Sequence, residues 1–346
     1  MEKRTALIQY SKPLTDIRQE SRKRFLDDSK ESRRQWQAYK SLQNLKKRTR
    51  CVLCANALSG SLLNHRSVVF VECKNCGHIQ TQGTIPEKQA SQFAFHQIYP
   101  KLNPKDYADR KRRIYQPKLD WITKSLRKLG YSKQWLKTRR WFEIGSGAGY
   151  FLSVLHDFGV RQYGGLDGDS QLIQTSNSIL PLRNAILYQD DISHVPAVFK
   201  ADIYVAFFVL EHLKDVHGLL LQLKKCPKNT VFVFSVPVFG FSAILEGVFK
   251  ANYARSLDGI VHQQIYTEKS IRHAMKIAGF KVAAEWVFGQ DADDLTRFTA
   301  NNVQTLYSLD KLNRIIKSLT EQQDSVQACI DRLHFSDQRH VIAIKQ

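Results

Sequence analysis

The chain is short of acid. Its 346 residues carry 52 Lys and Arg against 32 Asp and Glu, a formal net charge of +20 at pH 7. The shortage is local: residues 1–50 hold 15 basic side chains against 6 acidic ones, residues 101–140 hold 14 against 3, and the rest cancel. The excess therefore belongs to the N-terminal third. There it suits a polyanionic partner or surface, or the solvated faces of helices.

Apolar runs of bilayer length are missing too. The longest, from Val231 to Leu245, is shorter than the about 20 residues that cross a bilayer and is broken by Pro237 and Gly240. It reads as a buried strand and loop. The first thirty residues carry mixed charges and lack an apolar signal core, so the expected location is the cytoplasm. There is no repeat at solenoid period and no low-complexity tract. A hydrophobic content of 43% is too high for a disordered chain.

Glycine is absent from residues 1–50, which contain one proline, Pro13. Trp36, Tyr39, Leu42 and Leu45 recur there at helical spacing, which predicts a basic helical extension. Leu119, Ile122, Leu126 and Leu129 make one apolar face in a second basic stretch, and Gly130 ends that helix.

Four of the six cysteines form two pairs, Cys51-Val-Leu-Cys54 and Cys73-Lys-Asn-Cys76-Gly77, with 18 residues between them. Two such knuckles present four thiolates to one tetrahedral zinc ion, and Gly77 supplies the turn that lets amides point at the sulfurs. Four thiolates leave no open position, so the expected zinc is structural. A thioredoxin-like redox pair would need a βαβ context that is absent. Cys226 and Cys329 are expected to be inert.

From residue 141 short β-rich runs alternate with helical segments: Trp141–Ile144, Tyr163–Leu166, Ala185–Tyr188, Ile203–Leu210, Val231–Val238, Val282–Phe288 and Val341–Ile344. They predict a doubly wound α/β fold with a seven-stranded, mainly parallel sheet. The expected organisation is a basic helical extension over 1–50, a zinc ribbon over 51–80 and a connecting helical segment over 81–130. An α/β domain follows over 131–346, with a helical insertion at 290–338.

The first strand runs into Glu143-Ile-Gly145-Ser-Gly147-Ala-Gly149, and the second ends in Asp167. Alternate glycines let a backbone approach a ligand closely, and an acid at the end of the second strand accepts hydrogen bonds from both hydroxyls of a ribose. A dinucleotide fold would space its glycines as Gly-x-Gly-x-x-Gly instead. The run resembles the first motif of class I S-adenosylmethionine-dependent methyltransferases, and the resemblance extends over roughly residues 115–346. It implies a Rossmann-like domain and S-adenosylmethionine as cofactor, with Glu143, Gly145, Gly147, Gly149, Asp167 and Phe207 on its binding side. It further implies that Asp191, chosen over Asp190, reads the adenine amino group. Gly168 departs from the family, which commonly has an apolar residue packing on adenine there; Ile192 is the expected substitute.

The fourth strand ends in Leu210-Glu211-His212, similar to a motif of many small-molecule methyltransferases. Ligands of open α/β sheets lie beyond the carboxyl ends of the strands, so Phe207 to His212 should line the site. His212 is the first candidate for a base that takes the acceptor's proton and His262 the second. Glu211 has a plainer reading as a stabiliser of a helix N-terminus, and His212 as a structural histidine. His262 and Tyr266 resemble the family's acceptor-facing positions, whereas Thr267 is accounted for as a helix cap. Phe288-Gly-Gln-Asp291 resembles a loop of bacterial relatives that modify glycans and secondary metabolites.

The resemblance implies methyl transfer to a small molecule or a glycan precursor. An RNA methyltransferase that grips phosphates with its basic third is the second expectation. It lacks support from the fourth strand, which has no Asn/Asp-Pro-Pro-aromatic sequence for methylating base amines. A cofactor-binding scaffold without activity is the third, disfavoured by the intact glycine turn, Asp167 and Glu211-His212.

Overall fold

The computed structural model describes residues 6–14, 37, 45–65, 68–85, 104–179, 185–189, 199–249, 256–257, 259, 262–302 and 309–346. Trp36, Tyr39 and Leu42, on which the helical reading of the extension rests, lie outside them, as do Asp190, Asp191 and Ile192.

The N-terminal segment begins with a strand, β1 (Leu7–Tyr10), and ends with a short one, β2 (Lys46–Lys47). The cysteine module contributes β3 (Gly60–His65), β4 (Val68–Cys73), β5 (Ile79–Thr81) and β6 (Gly83–Thr84). A continuous helical stretch follows: α1 (Pro104–Arg110), a π-helical turn (Lys111–Tyr115) and α2 (Gln116–Lys128). Pro117 sits in the first turn of α2, where its missing N–H is harmless, and the chain passes Gly130 at φ +101°. A short helix, α3 (Lys133–Thr138), is capped by Ser132, whose hydroxyl accepts from the Trp135 amide.

The α/β alternation then runs β7 (Arg140–Ile144), α4 (Tyr150–Phe158), β8 (Gln162–Asp167), α5 (Ser170–Ile179), β9 (Ala185–Gln189), β10 (Ile203–Phe207), α6 (Val216–Leu223), β11 (Val231–Pro237) and α7 (Phe241–Phe249). It continues through β12 (Gln264–Ile265), α8 (Glu268–Ala278), β13 (Phe280–Val287), three helices α9 (Asp291–Asn302), α10 (Leu309–Glu321) and α11 (Gln323–Arg332), and β14 (Gln338–Lys345). Among the described residues, these three helices lie between β13 and β14.

The main sheet has the order β1-β13-β14-β11-β10-β7-β8-β9, with β14 antiparallel to both neighbours and every other pair parallel. All seven expected strands are present, and β1 adds an eighth at the edge. Its register pairs Leu7–Tyr10 with Ala284–Val287, so part of the presumed helical extension is a strand. The fourth strand also ends earlier than its apolar run: β10 stops at Phe207, because Phe208 turns to φ +55° and a 3-10 turn occupies Leu210–His212.

β10 and β11 are buried on both faces, as a helix-covered parallel sheet requires. Strand order reverses between β7 and β10, and the crevice at their carboxyl ends is where such folds bind ligands. The cysteine module forms a second sheet, β12-β5-β4-β3, whose outer strand comes from the residues before α8. The ribbon is thus tied by backbone pairing to the segment that carries His262 and Tyr266.

Candidate active site

At the end of β7 the backbone enters the left-handed region three times, at Gly145 (φ +68°), Gly147 (+52°) and Gly149 (+72°). A Cβ on Gly145 would strike the Val209 side chain, which fixes the turn against the end of β10. A Cβ on Gly147 would meet nothing within 4 Å, so open space lies over that amide. The same holds over Gly168.

Asp167 closes the turn from below. One carboxylate oxygen accepts from the Gly147 amide at 2.8 Å and the other from the Asp169 amide at 2.9 Å. Each oxygen keeps a lone pair for a further donor, as a ribose diol requires. Burial pushes this carboxyl up from its ordinary value, and the two backbone amides pull it down. Glu143 is buried, its Oε2 has no hydrogen-bond partner among the described residues, and burial raises its pKa well above the carboxylate range.

The roof comes from the α1–α2 stretch. Tyr107 and Tyr115 stack on Tyr150, the first residue of α4, at centroid distances of 4.3 and 5.1 Å. Lys118 is buried with its ammonium 4.3 Å from the Phe207 ring centre and 5.2 Å from that of Phe208. Burial lowers its pKa to about 7, with Glu143 and Glu211 opposing. The sequence reading missed this lysine. Its one signal is a charge one turn before Ile122 on the apolar face of α2.

On the other side of the crevice the structure brings His212 and His262 together, their rings stacked at 5.6 Å. His212 Nε2 stands 3.8 Å from Glu211 Oε1. Glu211 does not cap a helix N-terminus: it lies inside the 3-10 turn, fully buried, and α6 starts only at Val216 with Asp215 as its cap. Both Glu211 oxygens lack a hydrogen-bond partner among the described residues, and burial raises its pKa to about 7. Tyr266 is only 1% exposed; its ring meets His78 of the ribbon edge to face at 4.7 Å. Thr267 caps α8 in a capping box with Ser270, as expected, and its hydroxyl also donates to Gly77 O at 2.9 Å.

The four cysteine sulfurs converge. Cys51 and Cys76 approach to 3.6 Å and Cys54 and Cys73 to 3.8 Å, and all four sulfurs lie within 4.8 Å of one another. Tetrahedral bonds of about 2.3 Å put sulfurs about 3.8 Å apart. Ala55 (φ +58°) and Gly77 (φ +71°) turn the two knuckles, and their amides donate to Cys51 O and Cys73 O. Cys76, as a donor to the Cys51 sulfur, is the main cause that brings that thiol down to about 4, against the opposing effect of burial, with the Cys54 and Leu53 amides adding to it.

The fold and this crevice define a class: a doubly wound α/β protein whose glycine turn and second-strand acid meet at the switch point of its sheet. The methyltransferase-domain family matches residues 108–285, and the chain belongs to that family. No curated protein matches the chain. Among solved structures it is similar to a putative sarcosine dimethylglycine methyltransferase from Galdieria sulphuraria, at 12% identity and a TM-score of 0.46, covering 74% of this chain and 98% of that one. It is also similar to the magnesium protoporphyrin IX methyltransferase from Synechocystis PCC 6803 with bound SAH (13%, TM-score 0.44, 73% and 93%). A third is an S-adenosylmethionine-dependent methyltransferase from Mesorhizobium loti (15%, TM-score 0.42, 63% and 100%). At such values these likenesses assign no residue a role.

Proposed function

We propose that the chain transfers a methyl group from S-adenosylmethionine to a compact acceptor, a small molecule or a glycan precursor, and that the thiolate site holds a structural zinc ion. The donor supplies an electrophilic methyl carbon on a sulfonium. Gly147 and Gly168 leave the open space its nucleoside needs, Asp167 accepts from the ribose hydroxyls, and Glu143 offers a carboxylate oxygen that otherwise has no partner. The roof of Tyr107, Tyr115 and Lys118 keeps water from the crevice. His212 and His262 meet the acceptor, each as a base for its proton or as a positioning group.

One observation favours a compact acceptor over RNA. The basic side chains that line a surface cavity of about 840 Å³ are Arg139, Arg140, Lys200, Lys225 and Lys228. They stand at the amino ends of β7, β10 and β11, opposite the end that carries the glycine turn and His212. Near the turn, Lys111 pairs with Asp157, and Arg112 and Arg113 pair with Asp109. Among the described residues these charges stand away from the site or are paired with acids, and most of the basic N-terminal extension lies outside those residues. No disulfide joins the six cysteines and four of them converge at the thiolate site, an arrangement that suits a reducing compartment such as the cytoplasm. No helix among the described residues is long and apolar enough to cross a membrane.

The test is His212→Ala, with S-adenosylmethionine affinity measured by calorimetry and turnover measured on an acceptor found by screening. Turnover should fall by about 10²–10⁴-fold with cofactor affinity unchanged. Full activity would remove His212 from the reaction. A tight, steeply salt-dependent complex with mixed cellular RNA would move the reading to an RNA acceptor.

A further inference from the structure

Glu211 is a carboxylate with 0% exposure and no hydrogen-bond partner for either oxygen among the described residues. A native structure rarely leaves such a group unsatisfied without a ligand, an ion or a chemical role to account for it. Its neighbours are the ligand types a cation wants. One nitrogen from His212, one from His262 and one Glu211 oxygen lie within 4.8 Å of one another. The Tyr266 hydroxyl, buried within electrostatic reach of Glu211, also has no hydrogen-bond partner among the described residues.

We propose that Glu211, His212 and His262 bind a divalent metal ion, separate from the thiolate site, that holds an oxygen of the methyl acceptor. Bonds of about 2.0–2.2 Å put ligand atoms about 3–4 Å apart. The Glu211–His212 pair, at 3.8 Å, already meets this. The His262 nitrogen lies within 4.8 Å of the other two ligand atoms. Two imidazoles and one carboxylate suit Mn²⁺, Co²⁺ or Zn²⁺ better than Ca²⁺, which prefers oxygen throughout, or Cu⁺, which prefers thiolates. Three protein ligands leave coordination positions open, whereas the four thiolates close theirs.

The ion's role rests on the reading of this side of the crevice as the acceptor side. There it narrows the acceptor to a molecule with a hydroxyl or carboxyl oxygen. A coordinated hydroxyl gives its proton to solvent more readily. The oxygen's electron pair then forms the bond to the methyl carbon as the carbon–sulfur bond breaks and its pair returns to sulfur. His212 and His262 act in this step as ligands in place of a free base.

The full-length protein with its thiolate-bound zinc is titrated with Mn²⁺ while the resonance of free Mn²⁺ is followed, and dialysed in parallel against Zn²⁺. The expected result is one Mn²⁺, or one zinc beyond the thiolate-bound ion, per chain. Glu211→Gln, which keeps the side-chain shape, and His262→Ala, at a partly exposed position, should each weaken that uptake tenfold or more. Both should keep the thiolate zinc and the wild-type affinity for S-adenosylmethionine, which shows that they fold. Uptake of neither ion by the wild type, or uptake retained by either variant, overturns the proposal. Failure of the methyl-transfer reading would look different: S-adenosylmethionine would not bind at all.

Discussion

Lys118 enters the crevice from the apolar face of α2, and its burial gives the fold a pH dependence. Its ammonium falls from an ordinary 10.5 to about 7, with Glu143 and Glu211 facing it and Lys12 and Arg110 as like-charged neighbours. Between those values the unfolded chain holds a proton that the folded chain lacks. This lysine's contribution to stability therefore rises with pH across that window; below it both states are protonated and the cost of burial is fully present. Lys118→Met removes the charge with little change in volume. Thermal unfolding from pH 7 upward should show a flatter rise in Tm than the wild type, and an unchanged profile would mean that Lys118 is solvated. Gly147 makes a second residue-scale case. Alanine at φ +52° carries strain of about 1–2 kcal/mol and puts a methyl group into the open space over the turn. Gly147→Ala should lower Tm by a few degrees and S-adenosylmethionine affinity by more than tenfold; calorimetry showing the latter unchanged would put the donor elsewhere. The glycines and Asp167 were legible because their spacing encodes a backbone path. Lys118, Tyr107 and Tyr115 were not, because their partners Phe207 and Tyr150 are brought near only by the folded sheet and helix stack.

The ribbon and the acceptor side are joined element to element. β5 pairs with β12, Thr267 caps α8 while donating to Gly77 O, and the His217 amide donates to Val52 O at 3.0 Å. Cys51, Cys54, Cys73 and Cys76 share one apolar cluster with Leu210, Leu213 and Tyr266. The spacing of the cysteines made the ribbon legible, yet its attachment was not, because β12 is two residues long and carries no strand pattern. Cys73→Ser should release the ion and transmit the disorder to β12 and the start of α8. Hydrogen exchange should show protection lost over residues 51–81 and 262–270, and S-adenosylmethionine affinity kept within a few-fold. Loss confined to 51–81 would show the ribbon to be an independent module. β1 escaped the sequence reading for a related reason: Leu-Ile-Gln-Tyr is four residues in a charged stretch, and its evidence is the edge of β13 that it meets.

Across the whole molecule the two ends of the sheet divide the work. The carboxyl ends of β7, β8 and β10 gather glycines, acids and histidines, whereas the amino ends of β7, β10 and β11 carry the basic cavity. The α/β alternation from residue 141 made the sheet and the position of the crevice legible. The distance of the described basic cavity from the glycine turn and His212 was not, since a net charge has no direction until the chain folds. The central claim is that the glycine turn and Asp167 bind S-adenosylmethionine, and one calorimetric titration tests it most directly. Wild-type protein should bind one molecule per chain. Asp167→Asn replaces an acceptor with an NH₂ group, which disturbs the bond from the Gly147 amide as well as the ribose contacts. Loss of two charge-assisted hydrogen bonds of about 1.5–3 kcal/mol each should weaken binding on the order of a hundredfold or more. Absence of binding to the wild type, or equal affinity in Asp167→Asn, would contradict the account.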